Sequence, residues 1–160
     1  PYVVGILLLF YRAGWACFTL TSVSLAGLVG QLIKYIVNAP RPIVWFAEHY
    51  PEVELPLVEG VKMNMHCSFP SGHTISFFAM FLALTFAISD KPCRFSAVLA
   101  FFFFLLASLG GYSRIYLSQH FALDVFAGIF IGILTTILLY KFSRRWQSTL
   151  FWRWHIPSKF

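Results

Sequence analysis

"SFPSGHTISFFAMFLALTFAIS", residues 68–89, carries a histidine close to its start and no Asp, Glu, Lys or Arg anywhere along its length. Proline and glycine there break whatever precedes them, and serine is a good residue at the start of a helix. Counted from Met63, the uncharged run reaches Ser89, beyond the ~18–20 apolar residues that cross a bilayer as a helix. Two other runs of this kind, Ala13 to Ile33 and Phe95 to Ser113, flank it, and Val125 to Tyr140 makes another if extended back through His120. The pattern predicts four spanning helices at 14–37, 73–89, 95–113 and 120–140, hence an all-α integral membrane bundle.

Composition agrees. The chain is 59% hydrophobic and 11% charged, against roughly 45–50% and 25% in soluble domains. Residues 1–160 read as one transmembrane domain, with 38–70 as a loop between spans. The opening "PYVVGILLLFY" is too short to span and starts on proline, so it is expected to be the tail of a preceding helix in a chain truncated at its N-terminus. No basic residues precede it and no small-residue cleavage site follows, so it is not expected to be a signal peptide. Cys17, Cys67 and Cys93 form no C-x-x-C pair. They are expected to be free thiols rather than disulfide partners or zinc ligands.

Basic residues orient the bundle. Arg12, Lys91, Arg94, Lys141, Arg144, Arg145, Arg153 and Lys159 fall on one face, with Asp90 as its only acid; Lys34, Arg41, Lys62 and Arg114 share the other with Glu48, Glu52, Glu54 and Glu59. The positive-inside rule makes the first face cytoplasmic and places loop 38–70 outside, in a bacterial cell on the periplasmic side of the cytoplasmic membrane. The net charge of +6 reports this asymmetry and calls for no nucleic acid.

Three segments bring ionisable groups to that outer boundary: "KYIVNAPRP" with Lys34 and Arg41, "PSGH", and "SRIYLSQHFALD" with Arg114, His120 and Asp124. Each has a bland reading on its own. Lys34 can snorkel to headgroups, an interfacial histidine can simply pack, and Ser71 can simply cap a helix. Together, three cations, two histidines and a carboxylate are costly in so apolar a chain unless they work. They suit phosphoryl transfer. Gly72 admits a ligand close to the backbone, and the N–H groups at Ser71 to Thr74 form an anion site. Lys34, Arg41 and Arg114 neutralise phosphate. His120 and Asp124, four apart and so on one helical face, can act as nucleophile and orienting carboxylate, with His73 protonating the leaving oxygen.

Lys-x6-Arg-Pro at 34–42, Pro-Ser-Gly-His at 70–73 and Ser-Arg-x5-His-x3-Asp at 113–124 resemble, in order and without departure, the signature of the type 2 phosphatidic acid phosphatase superfamily. The resemblance covers residues 30–130 and implies a bundle of usually six spans, of which this chain holds about four. It also implies metal-independent, cofactor-free hydrolysis of lipid phosphates or diphosphates through a phosphohistidine. His120 would be the nucleophile, Asp124 its orienter and His73 the general acid, with Lys34, Arg41, Ser71, Gly72 and Arg114 as phosphate ligands.

Polyprenyl diphosphate, phosphatidylglycerol phosphate, phosphatidic acid and lipid A phosphate are all open as substrates. A transferase on the same scaffold and a non-catalytic anion transporter or scaffold are the rival readings, and a nucleophile with an orienter counts against the second. A vanadium haloperoxidase, which shares the motif, is remote for a chain this apolar. Outer-loop His49, His66 and Cys67 lack zinc-site spacing. Phe101 to Phe104 read as lipid-facing or core surface, and Trp146, Trp152 and Trp154 as an interfacial belt.

Overall fold

The computed structural model describes residues 2–90 and 94–154; Lys91, Cys93 and Lys159 lie outside the described residues. Among the described residues seven α-helices follow one another: α1 (Tyr2–Leu7), continued by a 3₁₀ turn at Leu8–Phe10, α2 (Ala13–Val37), α3 (Pro42–His49), α4 (Gly72–Ser89), α5 (Ser96–Tyr116), α6 (Ala122–Ser143) and α7 (Leu150–Arg153). The all-α expectation holds among the described residues, and α2, α4, α5 and α6 are long and apolar enough to cross a membrane.

Chain chemistry sets the ends. Asn38 stops α2 in the left-handed conformation, φ 43°, and its N–H donates to Lys34 O at 2.8 Å. Pro42 then occupies the first position of α3, where its missing N–H costs nothing. Arg41 is the N-cap residue of this helix, in extended conformation.

α4 packs against α2, α5 and α6. One layer of core joins Trp15, Phe18, Ala83 and Ala87, and a second joins Val23, Ala26, Ile75, Ala79 and Met80. Small residues set the α4–α6 distance: a Cβ at Gly132 would lie 2.7 Å from Ile75 O, and one at Gly128 would lie 2.9 Å from Ser71 O. Close backbone approach is a main source of helix association in lipid, where burial of apolar surface drives little. Gly132→Val is therefore expected to destabilise the bundle by about 1–3 kcal/mol, and to lower activity by displacing α6 from the start of α4. Thermal unfolding in detergent checks this, and unchanged stability would contradict the close approach.

α5 buries only Ala107 and Gly111, and Phe101, Phe102 and Phe104 are exposed on its outer side. One of the three tryptophans departs from expectation. Trp146 and Trp154 are exposed, but Trp152 is buried with its ring 5.3 Å from that of Trp15. Thr149 caps α7 and Gly14 leaves the space, since a Cβ there would overlap the Trp152 ring. Trp152 is thus core rather than belt. Arg12 pairs with Asp90, which also accepts from Trp15 Nε1 at 3.4 Å, tying the start of α2 to the end of α4. Cys17 and Cys67 are free thiols.

Alternation of the long helices has a functional consequence. The C-terminal ends of α2 and α5 meet the N-terminal ends of α4 and α6 at one end of the bundle, together with α3 and the loops around it.

Candidate active site

Backbone pairing draws the loops over that end. Arg41 N–H donates to Met65 O at 2.9 Å and Ser68 N–H to Ala39 O at 3.0 Å, which lays residues 64–68 along 38–41. Ser71 N–H donates to Asp124 O at 3.0 Å, joining the starts of α4 and α6. Lys34, in the last turn of α2, reaches across to Cys67 O with Nζ at 2.7 Å. Arg41 is buried, with Nε donating to His66 O at 3.2 Å and Nη1 to Gln119 O at 3.3 Å. Its guanidinium therefore ties three segments together as well as bringing positive charge.

His120 and Asp124 are both buried, at 3% and 4% exposure, and His120 Nδ1 lies 3.3 Å from Asp124 Oδ2. The pair meets as expected, but the route differs from the expected shared helical face. α6 begins at Ala122, Phe121 is extended with ψ 158°, and His120 precedes the helix. Asp124 sits in the first turn and accepts the Phe121 N–H at 3.0 Å, so a capping turn rather than helical periodicity folds the imidazole onto the carboxylate. Ser68 Oγ–H donates to the same Asp124 oxygen at 2.5 Å and lies 3.4 Å from His120 Nδ1. With Nδ1 facing this cluster, Nε2 is the nitrogen left for chemistry.

A cavity of about 880 Å³ opens above, and Lys34, Arg41, Gly72, His73 and His120 line it. Three expected site residues stand behind that wall. Asp124 backs His120. Ser71, at the N-cap of α4, is fully buried and accepts from Thr74 Oγ1 at 2.9 Å instead of capping the helix. Arg114 donates from Nε to Ser113 Oγ at 3.1 Å and from Nη1 to Gln119 Oε1 at 3.2 Å. A Cβ on Gly72 would meet nothing closer than Lys34 Cε at 3.8 Å, so the fold tolerates a side chain there. What it would occupy is cavity space beside the first-turn N–H groups of α4, which have no acceptor within the helix.

Burial holds the His120 imidazole below its ordinary pKa; the Asp124 hydrogen bond opposes this, and the Arg41 and Lys34 charges add to it. Burial thus favours the neutral ring, the form in which an imidazole nitrogen can act as a nucleophile. His73 is exposed to the cavity, with Arg114, His120, Arg41 and Lys34 all near enough to act on it electrostatically.

Two residues here escape a sequence reading. Ser68 braces Asp124, and Gln119 bridges Arg41 through its carbonyl and Arg114 through its side chain. A lone serine and a lone glutamine in loops carry no periodicity or spacing that would mark them. Their adjacency to Pro-Ser-Gly-His and to His120 was the only signal.

Residues 15–148 match the model of the PAP2 superfamily. Phosphatidylglycerophosphatase B of Bacillus subtilis (strain 168) is 27% identical over 144 residues, 89% of this chain and 66% of that protein. Undecaprenyl-diphosphatase BcrC of the same organism is 26% identical over 123 residues, 74% of this chain and 55% of that protein. The crystal structure of Aquifex aeolicus LpxE superposes with a TM-score of 0.67 at 29% identity, covering 88% of this chain and 75% of that one. The chain thus spans between about half and two thirds of the length of these two curated relatives.

Proposed function

Because the chain belongs to the PAP2 superfamily, we propose that it is a membrane phosphatase that hydrolyses the phosphomonoester or diphosphate of a lipid, with His120 as nucleophile. The observation that carries this reading is the buried His120–Asp124 pair opening into a cavity walled by Lys34, Arg41 and a second histidine, His73.

Phosphate binds against Lys34, Arg41 and the first turn of α4, with Ser71 and Arg114 holding that frame from behind. His120 Nε2 attacks phosphorus, the P–O bond to the lipid breaks opposite it, and the departing oxygen takes a proton from His73. Asp124 keeps the Nδ1 proton in place as the ring becomes cationic. Water, deprotonated by His73, then attacks the phosphohistidine, releasing inorganic phosphate and restoring neutral His120. The cations and helix N-terminus supply the charge that stabilises the transferring phosphoryl group, and Asp124 is engaged by three donors rather than held for a metal. The reading therefore needs no cofactor.

The split of basic residues supports a site on the outer, periplasmic face of a bacterial cytoplasmic membrane, served by lipids of that leaflet. The diphosphate head of a polyprenyl lipid and the phosphate head of a glycerophospholipid both suit a cavity of about 880 Å³ lined by Lys34, Arg41 and His73. The test is phosphate release by the purified protein in detergent from a panel containing polyprenyl diphosphate, phosphatidylglycerol phosphate, phosphatidic acid and lipid A phosphate, with and without exhaustive chelation. Release that survives chelation and is inhibited by orthovanadate is the expected result. Activity lost to chelator and restored only by added metal would reject the mechanism, and no release from any lipid would reject the function.

A further inference from the structure

Ser68 is fully buried, stands two residues before the Pro-Ser-Gly-His segment and is absent from the cavity wall. It has no access to a bound phosphate, yet its hydroxyl touches both members of the nucleophilic pair. We propose that Ser68 is a positioning residue for the phosphoryl-transfer step: it fixes Asp124 as a hydrogen-bond acceptor and shares the Nδ1 proton of His120, acting on turnover through that pair. The inference rests on the reading of His120 as nucleophile.

The geometry is specific about hydrogens. Asp124 Oδ2 faces the Ser68 hydroxyl at 2.5 Å, the Phe121 N–H at 3.0 Å and His120 Nδ1 at 3.3 Å. With three donors converging on it, this oxygen has no place for a hydrogen of its own. A hydroxyl has one hydrogen and two lone pairs. With the Ser68 hydrogen on Asp124, a lone pair remains for the Nδ1–H of His120, whose nitrogen is 3.4 Å away. The ring proton is then shared by two oxygens, and Nε2 stays unprotonated on the cavity side.

The hydroxyl is held by the backbone. Ser68 N–H donates to Ala39 O at 3.0 Å, so the stretch that leads into Arg41 sets the height of Ser68 over Asp124. A sequence separation of 56 residues between Ser68 and Asp124 is closed by the same loop pairing that builds the phosphate site.

Demand on this arrangement peaks when Nε2 bonds to phosphorus. The ring is then a cation with its proton on Nδ1, and that proton needs an acceptor whose position does not drift. Loss of the hydroxyl leaves the carboxylate less restrained and short of its nearest donor. Its charge then draws more strongly on the His120 proton, so the protonated ring persists to higher pH. Because attack requires the neutral ring, the acid limb of kcat/KM moves to higher pH. Other charges facing His120 stay in place: Lys34 from α2, Arg41 ahead of α3, His73 from α4 and Asp124 from α6.

The experiment uses the full chain in detergent with phosphatidic acid in mixed micelles, or with whichever panel lipid it hydrolyses. Ser68→Ala is expected to lower kcat by about 10- to 100-fold, the effect of losing one hydrogen bond to a charged group, with KM unchanged and the acid limb displaced upward. Ser68→Thr, which keeps the hydroxyl, is expected to recover most of kcat and the original limb. In an Asp124→Asn background Ser68→Ala should cost little more, because both act through one unit. Wild-type kcat and pH profile in folded Ser68→Ala would overturn the proposal. So would equal losses in the Ala and Thr variants with an unmoved limb, which would mark a packing role. If Ser68→Ala does not accumulate folded, Ser68→Cys keeps the size with a weaker donor, and a wild-type rate from it would overturn the proposal equally. His120→Ala separates the two readings: if it is inactive while Ser68→Ala is normal, only the Ser68 role fails, whereas an active His120→Ala removes the nucleophile itself.

Discussion

Replacing His120 by alanine is expected to reduce phosphate release to background while the protein remains folded. The loss is total because Nε2 of this ring is where phosphorus is to be bonded, and His73, exposed on the cavity wall, has no carboxylate bonded to its ring among the described residues. The fold should survive because Asp124 keeps the Ser68 and Phe121 donors, so the start of α6 stays anchored. Brief reaction with lipid carrying labelled phosphate, followed by quenching, should leave acid-labile, base-stable label on the wild-type protein and none on His120→Ala. Near-full turnover in the folded variant would end the mechanism.

Asp124→Asn should retain the fold and lose activity by about 10²-fold or more. An amide oxygen in place of Oδ2 still accepts from Ser68 and Phe121, so the capping turn persists, and losing a negative charge at the helix N-terminus costs about 0.3–1 kcal/mol. What disappears is the charge that balances the imidazolium in the transition state. An amide turned the other way presents N–H to Nδ1 and forces the ring proton onto Nε2, the nitrogen that must attack. Thermal unfolding and kcat measured on one preparation separate these effects. A variant that unfolds as wild type yet turns over at the wild-type rate would show that the carboxylate does not orient the nucleophile.

Much of this was legible along the chain. Uncharged runs predicted the four long helices within about three residues at each end, because a bilayer demands a minimum apolar length whatever the packing. The residues proposed to hold phosphate could be picked out because their motifs are local: Pro, Ser and Gly begin α4 whatever its neighbours, and Lys34 and Arg114 close the helices that carry them. Even so, a helical face for His120 and Asp124 was the wrong reason for a correct pairing. Spacing of four also fits a capping turn, and only the extended backbone at Phe121 distinguishes the two.

By itself, then, the sequence determined the number of apolar helices, their alternating direction, and so the end of the bundle where the charged residues gather. Tertiary structure decided which of them face the cavity. Arg114 turns toward Gln119 while Arg41, 78 residues from Gln119, reaches its carbonyl. Trp152 fills the space left by Gly14 instead of joining an interfacial belt, and Ser68 meets Asp124 across 56 residues. The division has a physical cause. Helix length and ends depend on groups within a few residues of each other, whereas a buried hydroxyl, ring or guanidinium takes its partner from whatever the packed helices bring within about 3 Å.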